Sequence, residues 1–228
     1  MKARLPFEII HEDRDLIVIS KPAGLLTSSL YSDERCTAQW MLGDYLRKGQ
    51  QKSRKAAYLI HRLDRETSGV MAFAKSEKVA EFFRSDWQNR SKKLYLARVE
   101  GVLEEEEGVF ESYLADNDRT MKVASVADPK KGKYACTLWR KLDGSDDSTL
   151  VEVTLKSGRK NQIRVHFSEA GHPVVGDVKY GARKAPRMML HSHKLALIHP
   201  HTKKWMEFSS PCGQFGDLPP AVPKNRRP

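Results

Sequence analysis

The apolar residues of this chain fall mostly in short runs broken by polar turns, and only three stretches have a helical period. FEIIHEDRDLIVISKP reads as two short strands around a polar EDRD turn, closed by Pro22 and Gly24. AYLI (57–60) and VMAFA (70–74) read as strands flanking the polar loop HRLDRETSG. Further strands are predicted around Leu94, Leu96 and Val99, at about 109–114, 134–141 and 149–156, and in MLHSHKLALIHP and KWMEFSSP. The run Glu104 to Glu107 before Gly108 reads as a solvated hairpin tip. Ala38, Met41, Leu42, Tyr45 and Leu46 predict a helix near 35–48. A second helix follows Ser76 as N-cap and carries Val79, Ala80, Phe82, Phe83 and Trp87. A third lies in GRKNQIRVHFSEAGHP, stopped by Gly171 and the following His-Pro. Strands and helices mix without strict βαβ alternation, which predicts an α+β domain with a largely antiparallel sheet.

A chain of 228 residues suits one large domain or two small ones. Lys plus Arg is 40 against 29 for Asp plus Glu, a formal charge of +11, so a polyanion such as nucleic acid is the expected partner. No run reaches the roughly 18 apolar residues of a membrane helix. MKARLPFEII has neither a continuous apolar stretch nor a small-residue cleavage site, so no signal peptide is expected. Cys36, Cys136 and Cys212 are far apart and form no CxxC, which argues against a disulfide framework or a cysteine zinc site and for a reducing cytoplasm. The last ten residues hold four prolines and KNRR and read as a flexible tail.

The densest polar cluster is His61, Arg62, Asp64, Arg65, Glu66, Thr67, Ser68 and Gly69. It reads either as a charged turn or as a functional loop whose two arginines hold Asp64 ionised, as a nucleophile or base requires. Asp64 and Glu66 could also form a glycosidase pair, but an irregular loop does not fix the ~5–5.5 Å separation that retaining hydrolysis needs. His191/His193 and His199/His201 are HxH pairs, each able to grip a metal from a strand. No carboxylate or cysteine lies between them, and no metal site is expected. Gly171, Gly176 and Gly181 match neither a phosphate loop nor a dinucleotide fingerprint. Basic residues cluster at Arg47–Lys55, Lys92–Lys93, Lys156–Arg164 and Arg183–Arg187, and favour phosphate contacts. Tyr31, Tyr95 and Tyr180 could stack on bases.

HRLDRETSG also resembles the signature H-R-L-D-x-x-T-S-G of the RluA family of RNA pseudouridine synthases. SKPAGLL (20–26), KKLYLARVEG (92–101), LKSGRKNQIRVHFSEAGHPVVGDVKYG (155–181) and LHSHKLALIHP (190–200) are similar to further family motifs, in the same order. The similarity covers roughly residues 7–210. It implies the pseudouridine synthase fold, a mixed, mostly antiparallel sheet with helices around a central RNA-binding cleft, with a catalytic domain over 1–218 and the tail at 219–228. It implies isomerisation of specific uridines to pseudouridine in a tRNA or rRNA stem-loop, with no cofactor and no metal.

By the same resemblance Asp64 is the essential aspartate, nucleophile or base. Tyr95 stacks on the target base and is a candidate for proton transfer at C5. Arg164 ion-pairs with Asp64, and Arg62 enters the RNA stack when the base leaves. His61, Arg65, Thr67, Arg159, Gln162, Ile163 and Val165 are the remaining expected substrate-binding residues. The resemblance implies a cytoplasmic monomer with no obligatory protein partner and no membrane, in a short form without an S4 RNA-binding module. Two positions depart from the pattern: Asn161 stands where the family has histidine, and Trp139 where it has tyrosine, the latter expected to change packing. Arg14, Arg35 and the 47–57 loop are candidates for substrate choice. A non-catalytic RNA-binding protein or chaperone on the same fold, and a nucleoside or glycan hydrolase, are the competing readings.

Overall fold

The computed structural model describes residues 5–215 except 30–33, 49, 51, 118 and 146. Tyr31 and the tail at 219–228 lie outside the described residues. The core is one sheet, and its most apolar strands are β2 (Leu16–Lys21) and β4 (Ser68–Ala74). Both are buried on both faces, which explains why they read as continuous apolar runs rather than alternating ones. Their side chains still sort with period two. Ile17, Ile19, Met71 and Phe73 join one core cluster; Leu16, Val18, Val70 and Ala72 join the other.

Helix α1 (Ala38–Arg47) covers the first face with Leu42 and Leu46, and α2 (Glu77–Ser85) covers the second with Val79, Ala80 and Phe83. Each begins on a side-chain cap: Thr37 accepts from Trp40 N–H at 3.2 Å, and Ser76 accepts from Val79 N–H at 3.3 Å. Trp87 lies beyond the end of α2 and opens a separate short helix, α3 (Trp87–Arg90). The third predicted helix is α4 (Gln162–Glu169).

The remaining strands are β1 (Glu8–Glu12), β3 (Tyr58–Leu59), β5 (Ser91–Glu100), β6 (Glu107–Asn117), β7 (Lys122–Val126), β8 (Lys133–Ser145), β9 (Ser148–Leu155), β10 (Leu190–Ile198) and β11 (Trp205–Ser209). Their order is β1-β2-β4-β10-β5-β9-β8-β6-β7, with β3 on β4 and β11 on β10. Every strand pairing is antiparallel except β4 with β10. The predicted mixed, mostly antiparallel α+β fold is therefore what the chain adopts.

Residues 104–107 are not a hairpin tip. β5 lies between β9 and β10 while β6 lies between β8 and β7, so the acidic run is an exposed crossover past two strands. β7 carries no sequence signal because only Val123 of its five residues is buried. No helix among the described residues is long and apolar enough to cross a membrane.

Candidate active site

The polar loop before β4 is bound on three sides. Thr27 Oγ1 donates to Leu63 C=O at 2.8 Å. The Lys21 ammonium is 1% exposed and donates to the carbonyls of Pro22, Leu25 and Arg65 at 3.0, 2.7 and 3.1 Å. Burial drops its pKa to about 8, against the raising effect of Glu66 and Asp64. Gly24 N–H donates to Arg65 C=O at 2.8 Å, and Arg65 Nε returns a bond to Gly24 C=O at 3.1 Å. At the far end the loop runs into the parallel seam, where Gly69 stands opposite Ser192. Gly69 has φ +113°, and a Cβ there would lie 2.2 Å from the Ser192 carbonyl oxygen. The glycine that closes the motif is thus required by strand contact.

This anchoring presents Asp64 to α4. Asp64 Oδ2 accepts from Arg164 Nη1 at 3.3 Å. The other edge of the guanidinium makes two bonds to Asp177, Nε to Oδ2 at 2.6 Å and Nη2 to Oδ1 at 2.8 Å. Nη1 also donates to Asn161 Oδ1 at 3.1 Å, and the Tyr180 ring lies 4.8 Å from the guanidinium carbon. Burial lowers the pKa of Arg164, but Asp177 first and Asp64 second outweigh it and hold the cation above its ordinary value.

Asp177 is a functional residue that sequence reasoning misses. It sits in VVGDVKYG, a segment with no apolar period, and its only signal is its place inside one of the family-like motifs. Asn161 has φ +54°, a left-handed conformation asparagine tolerates, and its Nδ2 donates to Tyr180 Oη at 3.0 Å. It therefore joins Arg164 to Tyr180.

Tyr95 enters from β5, opposite Ser192 on one side and Val153 on the other. Burial, then the charge of Asp64, pushes its phenol above the ordinary value, opposed by a hydrogen bond with Ser192. Tyr95 therefore carries its proton at neutral pH.

Arg62, Asp64, Tyr95, Arg159, Ile163 and Arg164 line one cleft of about 220 Å³. That is smaller than the roughly 300–1,000 Å³ of sites for drug-sized ligands, and suits a single base. Thr67 and Gln162 also line it. Gln162 is saturated by the fold: Nε2 donates to Cys136 C=O and Thr137 Oγ1 at 3.0 and 2.8 Å, and Oε1 accepts from Ser157 Oγ and Arg159 N–H at 2.7 and 3.0 Å.

Three expected substrate-binding residues lie elsewhere. His61 Nε2 accepts from Ala72 N–H at 3.0 Å and its ring stacks on Trp87 at 4.9 Å. Burial, then Lys93, pulls its pKa down to about 3. Val165 packs among Leu114, Val123, Ala135 and Tyr180, since two helical positions from Ile163 point away from the cleft. Arg65 lines an adjoining recess shared with Asp64, Arg164 and Asp177. Glu66 shares that recess with Asp64 but does not line the cleft, where Asp64 is the one carboxylate among the described residues.

Of the HxH pairs, His191, His199 and His201 make ring hydrogen bonds, while His193 Nδ1 is buried without a partner among the described residues. Arg187 Nη2 donates to Ser68 Oγ at 2.7 Å, and Ser68 Oγ bonds His191 Nδ1 at 2.8 Å. His199 Nδ1 accepts from His201 and Thr202 N–H at 3.2 Å each. Its proton is therefore on Nε2, facing Asp13 and Asp15 at 3.6 and 3.9 Å. Trp139 stacks on Phe110, at 5.9 Å, and packs on Phe167 with its indole N–H buried and unbonded.

A mostly antiparallel sheet with helices thus carries a basic cleft in which a partly exposed aspartate meets a buried tyrosine and arginine, an arrangement that fits an enzyme acting on RNA. Residues 15–169 match the family described as RNA pseudouridylate synthase, and the chain belongs to that family. It is 31% identical over 212 residues to the uncharacterized RNA pseudouridine synthase MG209 of Mycoplasma genitalium, covering 91% of this chain and 67% of that protein. It is 33% identical to the dual-specificity RNA pseudouridine synthase RluA of Pasteurella multocida, over 90% of this chain and 92% of that one. Among solved structures, human RNA pseudouridylate synthase domain containing 1 superposes with a TM-score of 0.71 at 26% identity, over 90% of this chain and 83% of that chain. The chain is accordingly an RNA pseudouridine synthase, an isomerase of uridine in RNA.

Proposed function

We propose that this enzyme flips a uridine out of a tRNA or rRNA stem-loop into the 220 Å³ cleft and isomerises it there with Asp64 as the essential group. The observation that carries the reading is the meeting of Asp64, Tyr95 and Arg164, from three separate parts of the sequence, on one base-sized cleft rimmed by Arg62 and Arg159. A uridine C1′ is out of reach inside a stacked stem, so the nucleotide must leave it at a cost of a few kcal/mol. Arg62, exposed where it lines the cleft, fills the vacated position with its planar guanidinium in this reading.

In the reaction the N1–C1′ bond breaks, the uracil turns, and C5 bonds to C1′; the C5 proton leaves and N1 ends protonated. Asp64 Oδ1 has no protein partner among the described residues while Oδ2 is held by Arg164. The free oxygen can add to C1′ or take a proton from C2′, and both routes use the same placement. Tyr95 covers the uracil and can donate a hydrogen bond to the anion released at N1. It can accept the C5 proton only after giving up its own. Three free cysteines fit work in a reducing cytoplasm.

The test is pseudouridine mapping in RNA from cells with and without the gene, followed by purified wild-type and Asp64→Asn protein on RNA from the deletion strain. The expected result is restoration by wild type, none by Asp64→Asn, and RNA binding by both. Isomerisation by Asp64→Asn excludes this role for Asp64. Binding by both with no pseudouridine favours the non-catalytic reading.

A further inference from the structure

A second groove, of about 500 Å³, lies beside the catalytic cleft. The two adjoin at the turn Gly158–Lys160, whose three residues line both. The far wall is the 3-10 turn Pro129–Lys131 with the start of β8, and it presents Lys130, Lys131 and Lys133, all exposed. None of these three ammonium groups has an ion pair among the described residues. The one carboxylate lining the groove, Asp116, is already bonded to Lys160.

The turn is held where it is by fit. A Cβ on Gly132 would lie 2.6 Å from Val126 Cγ2 and 2.9 Å from the Tyr113 backbone, so the lysine turn lies directly on β6 and β7. Asp128 caps it by accepting from Lys130 N–H at 2.9 Å. The arm also has an electrical direction. In the β6–β8 pairing, Lys133 stands opposite Leu114 at the groove end and Glu107 stands opposite Arg140 at the other. Seven residue steps put the acidic run about 23 Å from the groove. By contrast, the depression lined by Arg14, Asp15, Lys78 and Glu81 mixes both signs.

We infer that this groove is a phosphate-backbone subsite, which takes the RNA strand running away from the flipped uridine and binds it through Lys130, Lys131, Lys133 and Arg159. The inference rests on the base-flipping reading for its direction, because the strand enters from the cleft. Its chemistry is that of unpaired cations facing a polyanion: sequence-independent, salt-sensitive, and additive with the cleft.

The test is binding of bulk RNA from the deletion strain to wild type and to the triple variant Lys130→Gln, Lys131→Gln, Lys133→Gln across a salt series, with pseudouridine measured in the same samples. Removing one lysine that touches a phosphate lowers the salt slope by about one. The triple variant is therefore expected to lose about two to three from the slope and about tenfold or more in affinity at low salt. A control with the same charge removed at Lys78, Lys203 and Lys204, none lining the cleft or the groove, is expected to track wild type. If the groove variant matches that control, the inference is wrong. Should the triple variant fold poorly, Lys131→Gln alone is expected to lower the slope by about one, and an unchanged slope overturns the proposal equally. Absence of pseudouridine with wild type would overturn the isomerase reading instead, since the groove is judged on binding alone.

Discussion

Arg164 gives its two-donor edge to Asp177 and only a single nitrogen, at 3.3 Å, to Asp64. The buried aspartate therefore fixes the guanidinium plane, and the loop aspartate meets an arginine already aimed. Asp177 is 3% exposed and does not line the cleft, so it positions rather than reacts. For Asp177→Asn we expect kcat to fall about 10- to 100-fold with KM within a few-fold, by analogy with residues that orient a catalytic ligand. Breaking one side of a buried ion pair also costs stability, up to about 3–5 kcal/mol. Steady-state kinetics and a denaturant melt measure the two effects. A rise in KM with kcat unchanged would show that Asp177 serves binding instead.

Asn161 makes two bonds that only its amide supplies together, to Arg164 and to Tyr180, from a left-handed backbone. Asn161→Gly keeps the backbone and loses the bonds, a cost of about 1 kcal/mol each. Asn161→Ala adds backbone strain of about 1–2 kcal/mol. The expected order of melting temperature is wild type, then glycine, then alanine. Alanine melting above glycine would show that the conformation carries no strain.

Neutral buried histidines make stability fall in acid. His61 and His191 are pulled down to about 3 and about 4, in each case first by burial. Unfolded, each takes a proton near pH 6.5; folded, each resists until pH reaches its depressed value. The stabilisation is therefore complete above about pH 6.5 and is lost as pH falls toward 4 and then 3. The loss is on the order of a few kcal/mol. Denaturant midpoints across this range are expected to fall for wild type and to fall less for His61→Gln. A parallel fall for both would remove His61 from the account.

Gly69→Ala is expected to prevent normal folding or to cost more than about 3 kcal/mol, because the new methyl meets the Ser192 carbonyl backbone at 2.2 Å in a φ +113° conformation. Soluble yield and thermal melting measure this. A variant with wild-type melting would mean that the β4–β10 seam yields easily.

Much of this architecture is legible in the sequence because burial has a period. The apolar runs of β2 and β4, the helical spacing of α1 and the Ser76-capped start of α2 follow from spacing and a cap residue. The order of strands does not follow, since β10 enters the sheet between β4 and β5 from far along the chain. Nor does facing within a motif. His61 and Arg62 are neighbours, yet one ring stacks on Trp87 and the other side chain reaches the cleft. Ile163 and Val165 divide in the same way along α4. Asp177 is hidden because a loop residue's partner is set by tertiary approach, which no local pattern encodes.

The parallel seam of Ser68 and Gly69 with His191 and Ser192 also sets a timetable. The loop bearing Asp64 is made early, but the strand that anchors its far end is made late. At roughly 5–20 residues per second, a ribosome needs several seconds or more to deliver β10 after the loop has emerged. During that interval β4 is an apolar strand without one of its neighbours. The enzyme therefore acquires its active site only when nearly all the described chain has been synthesised, and the unfinished chain depends on β2 and α2 to keep β4 from pairing with the wrong strand.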